Sequence, residues 1–180
     1  MWTWRLHCST GKRRRKPSES RERIVARGAQ DHAGAVAPPP LIFGVPLAVA
    51  LYEDRSNPLS VLSPLVAMII GSAIIFVALV ILVATFLQFR RRRTTILPYR
   101  PTTAIVDSWP YSFTRNPMYL AMALVYIGIA IFFNSLWPFL LLPLVLLVMH
   151  RGVIEREERY LEQKFGSDYV DYRSRVPRWL

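Results

Sequence analysis

At 180 residues, with 52% apolar side chains gathered into blocks and a net charge of +11, the chain has room for one domain but lacks the composition of a soluble core. A single cysteine, Cys8, excludes a disulfide framework and a cysteine metal centre. Gly-rich phosphate loops, nucleophile elbows and Walker motifs are missing as well, which removes most soluble enzyme classes.

Residues 1–36 carry nine Lys/Arg against three acids and no apolar periodicity, so they read as a disordered basic tail. The run from Lys12 to Lys16 suits anionic lipid head groups, at ~1 kcal/mol per cation near a surface. One short cluster is too little for nucleic acid. Uneven charge beside apolar blocks is first a topological signal, and it recurs from Arg90 to Arg115, where six arginines face one acid.

Residues 37–180 form the predicted membrane domain. Its first span, about 38–53, is short and contains Pro46. It rests on topology: a crossing there puts both basic regions on one side and Glu53-Asp54-Arg55 on the other. The second span, about 62–89, is the clearest, because its apolar helix from Pro64 runs to roughly 39 Å at ~1.5 Å per residue. Ala67 and Gly71 share one face of it, a pattern of close helix packing. Arg90-Arg91-Arg92-Arg93 is expected to stop the helix in the cytoplasmic head-group layer. Prolines at 98, 101 and 110 then forbid a long helix and leave a cytosolic loop over 90–115.

Asn116-Pro117 reads as an N-cap followed by proline at the first helical position. The uncharged run that follows is broken by Asn134-Ser-Leu-Trp-Pro138, which predicts a hairpin of two spans, about 117–133 and 136–150, with Pro143 bending the second. C-terminal helices over 151–180 complete the chain. A helix from His150 to Phe165 leaves the bilayer and closes at Gly166. On it His150, Ile154, Glu157 and Leu161 share a face, Glu155 and Arg159 make a solvated i, i+4 pair, and Glu158 lies about 100° round from Glu157. One of the two acids can then point into a pocket while the other braces it. Tyr169, Tyr172, Val176 and Trp179 make an amphipathic cap. The predicted fold is all-α: a multi-pass integral membrane bundle of about four transmembrane helices, the last two a hairpin, with a cytosolic C-terminal helical cap.

Two separated stretches carry the chemistry. One is the polar knot from Tyr111 to Tyr119; the other is Glu157-Glu158, reached 38 residues after Tyr119 once the hairpin has returned. Arg115 stands just before a helix N-terminus, where a cation is electrostatically unhelpful, and so has reason to face a partner. Ionisable groups at membrane depth are costly and point to function. The candidate catalytic residues are Arg115, His150 and Glu158, with Arg115 and Arg151 as anchors for an anionic substrate. No metal site is predicted, because the histidines are only His7, His32 and His150.

Thr103-Ala104-Ile105-Val106, Tyr111, Arg115-Asn-Pro-Met-Tyr119, Glu157-Glu158 and the ending from Phe165-Gly166 through Tyr169 and Tyr172 to Val176-Pro177-Arg178 together resemble the isoprenylcysteine carboxyl methyltransferases and the related membrane phospholipid methyltransferases. The resemblance runs from about Leu41 to the C-terminus. It implies S-adenosylmethionine as cofactor, held by Thr103, Ala104, Ile105, Val106, Tyr111, Asn116, Pro117, Met118, Tyr119 and Glu157. Asn116 stands where the eukaryotic isoprenylcysteine enzymes have histidine, and Trp109 where glycine is usual. A sulfonium donor needs chiefly an aligned nucleophile in a dry site, and alignment alone can supply ~7–11 kcal/mol. A lipid or prenylated acceptor enters from the bilayer. A prenylcysteine carboxylate calls for Arg115 or Arg151; a phospholipid amine calls for His150 or Glu158 as base. Both remain open, as do an NADPH-dependent sterol-type reductase and a non-catalytic scaffold of the same fold. Both termini are expected in the cytoplasm, and a bacterial inner membrane is favoured over the endoplasmic reticulum.

Overall fold

The computed structural model describes residues 36–92 and 108–179, the side chains at 89, 91 and 92 aside. The expectations for residues 1–35 and for Thr103 to Val106 lie outside the described residues. Among those described, every regular element is helical: α1 (Pro39–Ser56), α2 (Pro64–Arg92), α3 (Pro117–Phe132), α4 (Trp137–Met149), a π-helical turn (His150–Ile154), α5 (Glu155–Phe165) and α6 (Ser167–Arg175).

All four long helices begin at proline or have it in their first turn, where the missing N–H costs nothing. The arginine cluster does not end α2 at once. The helix continues to Arg92, because arginine is a good helix former and its charge can reach water from the last turn.

The helix α3 lies centrally, in contact with α1, α2 and α4. It meets α2 through small residues: Ala67 and Ala78 on α2 and Ala121 and Ala130 on α3 are fully buried. At the crossing the backbones nearly touch. A Cβ built on Gly71 would stand 2.5 Å from Phe132 N and 2.7 Å from Gly128 O, so the face expected from Ala67 and Gly71 is a helix seam. A second core joins α1 to the hairpin through Phe43, Tyr126, Val145 and Met149.

The two ends of the bundle are tied differently. At one end Asn134, in the left-handed region at φ 53°, donates to Leu62 O at 2.6 Å and accepts from the amides of Val61 and Leu62. Trp137 Nε1 donates to Asn57 O at 2.8 Å beside it. At the other end Val36 N donates to Gly152 O at 3.2 Å, and Gln88 Nε2 donates to Trp109 O at 2.8 Å. So α1 and α2 run in opposite directions. The start of α1, the end of α2, the start of α3 and the π-helical turn gather at one end.

Two helical stretches, Pro64–Gln88 and Trp137–Phe165, are long and apolar enough to cross a membrane; α3 is shorter, and α1 carries Glu53, Asp54 and Arg55 in its last turn. The outer face of α2 is bare hydrocarbon, with Ile69 60% and Phe76 68% exposed. Such a continuous apolar face fits lipid and not water.

The seam sets a measurable asymmetry. In Gly71→Ala the new methyl meets backbone, and in Gly128→Ala it meets chiefly the movable Ile75 side chain at 2.7 Å. Gly71→Ala is therefore expected to lower stability by ~1–3 kcal/mol, the usual cost of overpacking, and Gly128→Ala by less. Thermal unfolding in detergent micelles or nanodiscs checks the order.

Candidate active site

Where the sequence places Asn116 and Pro117, α3 begins, with Asn116 at the N-cap position and its carbonyl accepting the first helical bond from Leu120 N at 2.9 Å. The Asn116 side chain does not cap the helix. Its Nδ2 donates to Arg178 O at 2.9 Å, and Thr114 Oγ1 donates to the same carbonyl at 3.1 Å. Because a carbonyl only accepts, this contact fixes the amide orientation and leaves Asn116 Oδ1 as the acceptor of the side chain. Arg115 N donates to Pro177 O at 3.0 Å. Residues Val176–Trp179 thus lie as a strap across the knot.

One turn into α3, Tyr119 is buried and its hydroxyl donates to Glu157 Oε2 at 2.8 Å. The two separated stretches therefore meet, as predicted. Glu157 Oε1 takes no hydrogen bond among the described residues. Glu158 turns the other way: its Oε1 accepts from Arg178 Nε at 2.9 Å, its Oε2 from Arg178 Nη2 at 2.6 Å, and Arg115 Nη1 stands 3.0 Å from Oε1. One acid is open and one is braced, as the 100° offset suggested. This fork is the leading reason why Arg178 is held above the usual guanidinium range.

The expected face through His150 and Glu157 does not form. The π-helical turn widens the ring to i→i+5, with Glu155 N bonded to His150 O, and so changes the phase between the two helices. His150 Nε2 instead lies 3.1 Å from Arg178 Nη1 and 3.4 Å from Glu155 Oε1. Glu155 accordingly faces His150, where the sequence pattern suggested a pair with Arg159.

The predicted residues divide clearly. Arg115, Asn116, Tyr119, Glu157 and Glu158 converge directly, and His150 joins through Arg178. Pro117 is buried as the first residue of α3, and Met118 lines an apolar hollow beside α2 with Phe86 and Thr85. Tyr111 is tied in from the loop, its carbonyl accepting from Tyr172 Oη at 2.8 Å. Arg151 is exposed, and no bond to the cluster holds it among the described residues. Sequence reasoning missed Arg178, Thr114 and Tyr169 as site residues. Arg178 had a signal in its place directly after Pro177, but nothing local identified its partner twenty residues upstream.

Beside the knot an apolar groove of about 450 Å³ opens to the flank of the bundle. Phe76, Val77, Val80 and Ile81 of α2 form one wall, Trp109 and Phe113 the other, and Thr114 sits at its edge. A polar cluster at a helix end thus adjoins a hydrocarbon-lined slot. The phospholipid methyltransferase family pattern matches residues 66–168, which hold every member of the cluster except Tyr169 and Arg178.

The chain belongs to that family.

Phospholipid methyltransferases are membrane methyltransferases, and the two long apolar helices suit that setting. Two relatives share parts of the chain. An uncharacterized protein of Haemophilus influenzae is 36% identical over 63 residues, 35% of this chain and 100% of that protein. The cobalt-zinc-cadmium resistance protein CzcN of Cupriavidus metallidurans is 32% identical over 81 residues, 45% of this chain and 37% of that protein. No solved structure matches this member of the family.

Tyr169 offers a pH test of the cluster. It is buried against Arg115 and Glu158, and its phenol is pushed up to about 12, first by burial and then by the charge of Glu158, with Arg115 opposing. The unfolded tyrosine titrates near 10. The unfolded chain therefore loses this proton first, so the contribution is full below about pH 10 and drains as pH rises toward 12. Tyr169→Phe is expected to flatten the alkaline fall in thermal stability between those values, read by unfolding at stepped pH.

Proposed function

We propose that this chain transfers a methyl group from S-adenosylmethionine to a membrane-resident acceptor, a prenylcysteine-type carboxylate or a phospholipid amine. The observation that supports this most is the Tyr119–Glu157 contact, which joins the start of the hairpin to its exit beside an apolar groove. In this reading α1 to α4 all cross the bilayer, and α5, α6 and the strap form a cap on the cytoplasmic side of a bacterial inner membrane.

The residues fit such a donor. Glu157 Oε1 is an open acceptor for its amino or ribose hydroxyl groups, and Tyr119, by donating to Oε2, fixes the carboxylate plane. Asn116 Oδ1 is a second acceptor, oriented by the Arg178 carbonyl. The Tyr111 phenol is held well above its usual range, chiefly by burial and next by the charge of Glu157, so it presents a neutral ring; such a ring suits an adenine or a sulfonium. When bound, the donor supplies an electrophilic methyl on positively charged sulfur.

The chain's own part is placement. The groove between α2 and the Trp109–Phe113 turn takes the hydrocarbon tail and aligns the head group at Thr114 and Arg115. A carboxylate acceptor needs no base. An amine acceptor must lose a proton, and of the candidate bases Glu158 has its lone pairs committed to Arg178, which leaves His150 after Arg178 moves aside, or water. This geometry favours the carboxylate.

Glu157→Ala is expected to raise the apparent KM for S-adenosylmethionine by about tenfold to a hundredfold, the scale of a lost charged hydrogen bond. Purified protein with methyl-labelled donor and total membrane lipid measures it. Base-labile label indicates a carboxyl ester, and label in a head-group amine indicates the other acceptor. Unchanged turnover in Glu157→Ala, or stabilisation by NADPH with none by S-adenosylmethionine, would overturn the reading.

A further inference from the structure

Two cations contend for one carboxylate. Arg178 grips Glu158 with a fork at 2.9 and 2.6 Å. Arg115 reaches only Oε1, at 3.0 Å, and its Nε and Nη1 are buried donors with no hydrogen-bond partner among the described residues. Tyr169 bonds to Arg115, but Nη1 meets Glu158 only as an ion pair outside hydrogen-bond geometry, and Nε has no hydrogen-bond partner among the described residues. Buried guanidinium N–H groups left unpaired are costly, and here they sit one residue from Thr114 at the edge of the apolar groove.

The strap makes the contest a fixed one. Arg115 N to Pro177 O, and Thr114 and Asn116 to Arg178 O, lay the two arginine-bearing segments side by side through main-chain carbonyls. His150 Nε2 supports the Arg178 guanidinium from the far side at 3.1 Å. None of the three carbonyl bonds uses the Arg178 side chain. Truncating that side chain keeps these three anchors of the strap while removing the fork on Glu158 and the contact with His150. The Glu158 carboxylate, 10% exposed, would then have one guanidinium left and would draw it in, since charge-assisted pairs in a dry site dominate neutral contacts.

We infer that Arg178 is a positioning residue: by forking Glu158 it keeps Arg115 from closing its own fork on that carboxylate, so that the Arg115 guanidinium, through Nε, meets the anionic head of the membrane acceptor, a carboxylate or a phosphate. The proposed methyl transfer supplies the acceptor; the binding step itself requires no turnover. A consequence unusual for a salt-bridge residue follows. Loss of Arg178 harms anion binding through Glu158, and a second change at Glu158 repairs it.

The test is a four-variant cycle on the full chain in nanodiscs, read by tryptophan fluorescence. The titrants are N-acetyl-S-farnesylcysteine as a carboxylate probe and, separately, a short-chain phosphatidylethanolamine as a phosphate probe. Arg178→Ala should weaken whichever probe binds the wild type by about tenfold, the scale of one lost charged contact. Arg178→Ala with Glu158→Gln should recover to within about threefold. Glu158→Gln alone, where Arg115 has no carboxylate rival, should bind at least as tightly as wild type, and this arm stands even if Arg178→Ala fails to fold. A double variant no better than Arg178→Ala, a weaker Glu158→Gln, or a wild type that binds neither probe would overturn the inference. Probe binding with the repaired double variant but no label moved from S-adenosylmethionine would overturn the methyl-transfer reading and leave this inference standing.

Discussion

A carboxylate removed from water has to be met by cations or hydrogen bonds, and one left half-met costs several kcal/mol. Glu158 is that carboxylate here, and the end of the bundle is assembled around it. To reach its two oxygens, Arg178 has to come back across the start of α3, which brings the Val176–Trp179 strap onto Thr114, Arg115 and Asn116. Because Glu158 faces the strap, its neighbour Glu157 faces the opposite way, toward Tyr119. One acid is spent on architecture, and the other keeps an oxygen with no hydrogen bond among the described residues.

The bundle serves this end by keeping the other one closed. Asn134 takes both amides and a carbonyl of the Val61–Leu62 turn, so the hairpin tip is held by the loop that links α1 to α2. With that register fixed, α4 delivers the chain to the π-helical turn directly beside the start of α1. The turn then changes helical phase, which puts Val153 and Ile154 into the core and swings Glu155 toward His150 and Glu158 toward Arg178.

Much of this could be read in the residues. Charge-free stretches ended by arginines or prolines gave the helices, and the Ala67–Gly71 spacing gave the seam, because both depend on local composition and period. The meeting of Tyr119 and Glu157 followed from hairpin length. What escaped reading was non-local or phase-dependent. The π-helical turn has no strong sequence mark, so a face was drawn through His150 and Glu157 that the wider ring breaks. Asn116 had every mark of a capping side chain, but the carbonyl it serves belongs to Arg178, 62 residues on. Arg151, named as an anchor for an anionic substrate, is exposed.

At Gly71 the main chains of α2 and α3 stand in direct contact, and beside Gly128 only the Ile75 side chain can give way. Helices joined like this behave as one rigid wall. Any widening of the lateral slot to admit a bulky tail therefore has to come from its other side, the short Trp109–Phe113 turn, whose tie to the wall includes Gln88. On the proposed reading of the slot, the Trp109–Phe113 loop, latched by Gln88, is its movable side, and α2 with α3 is its fixed one.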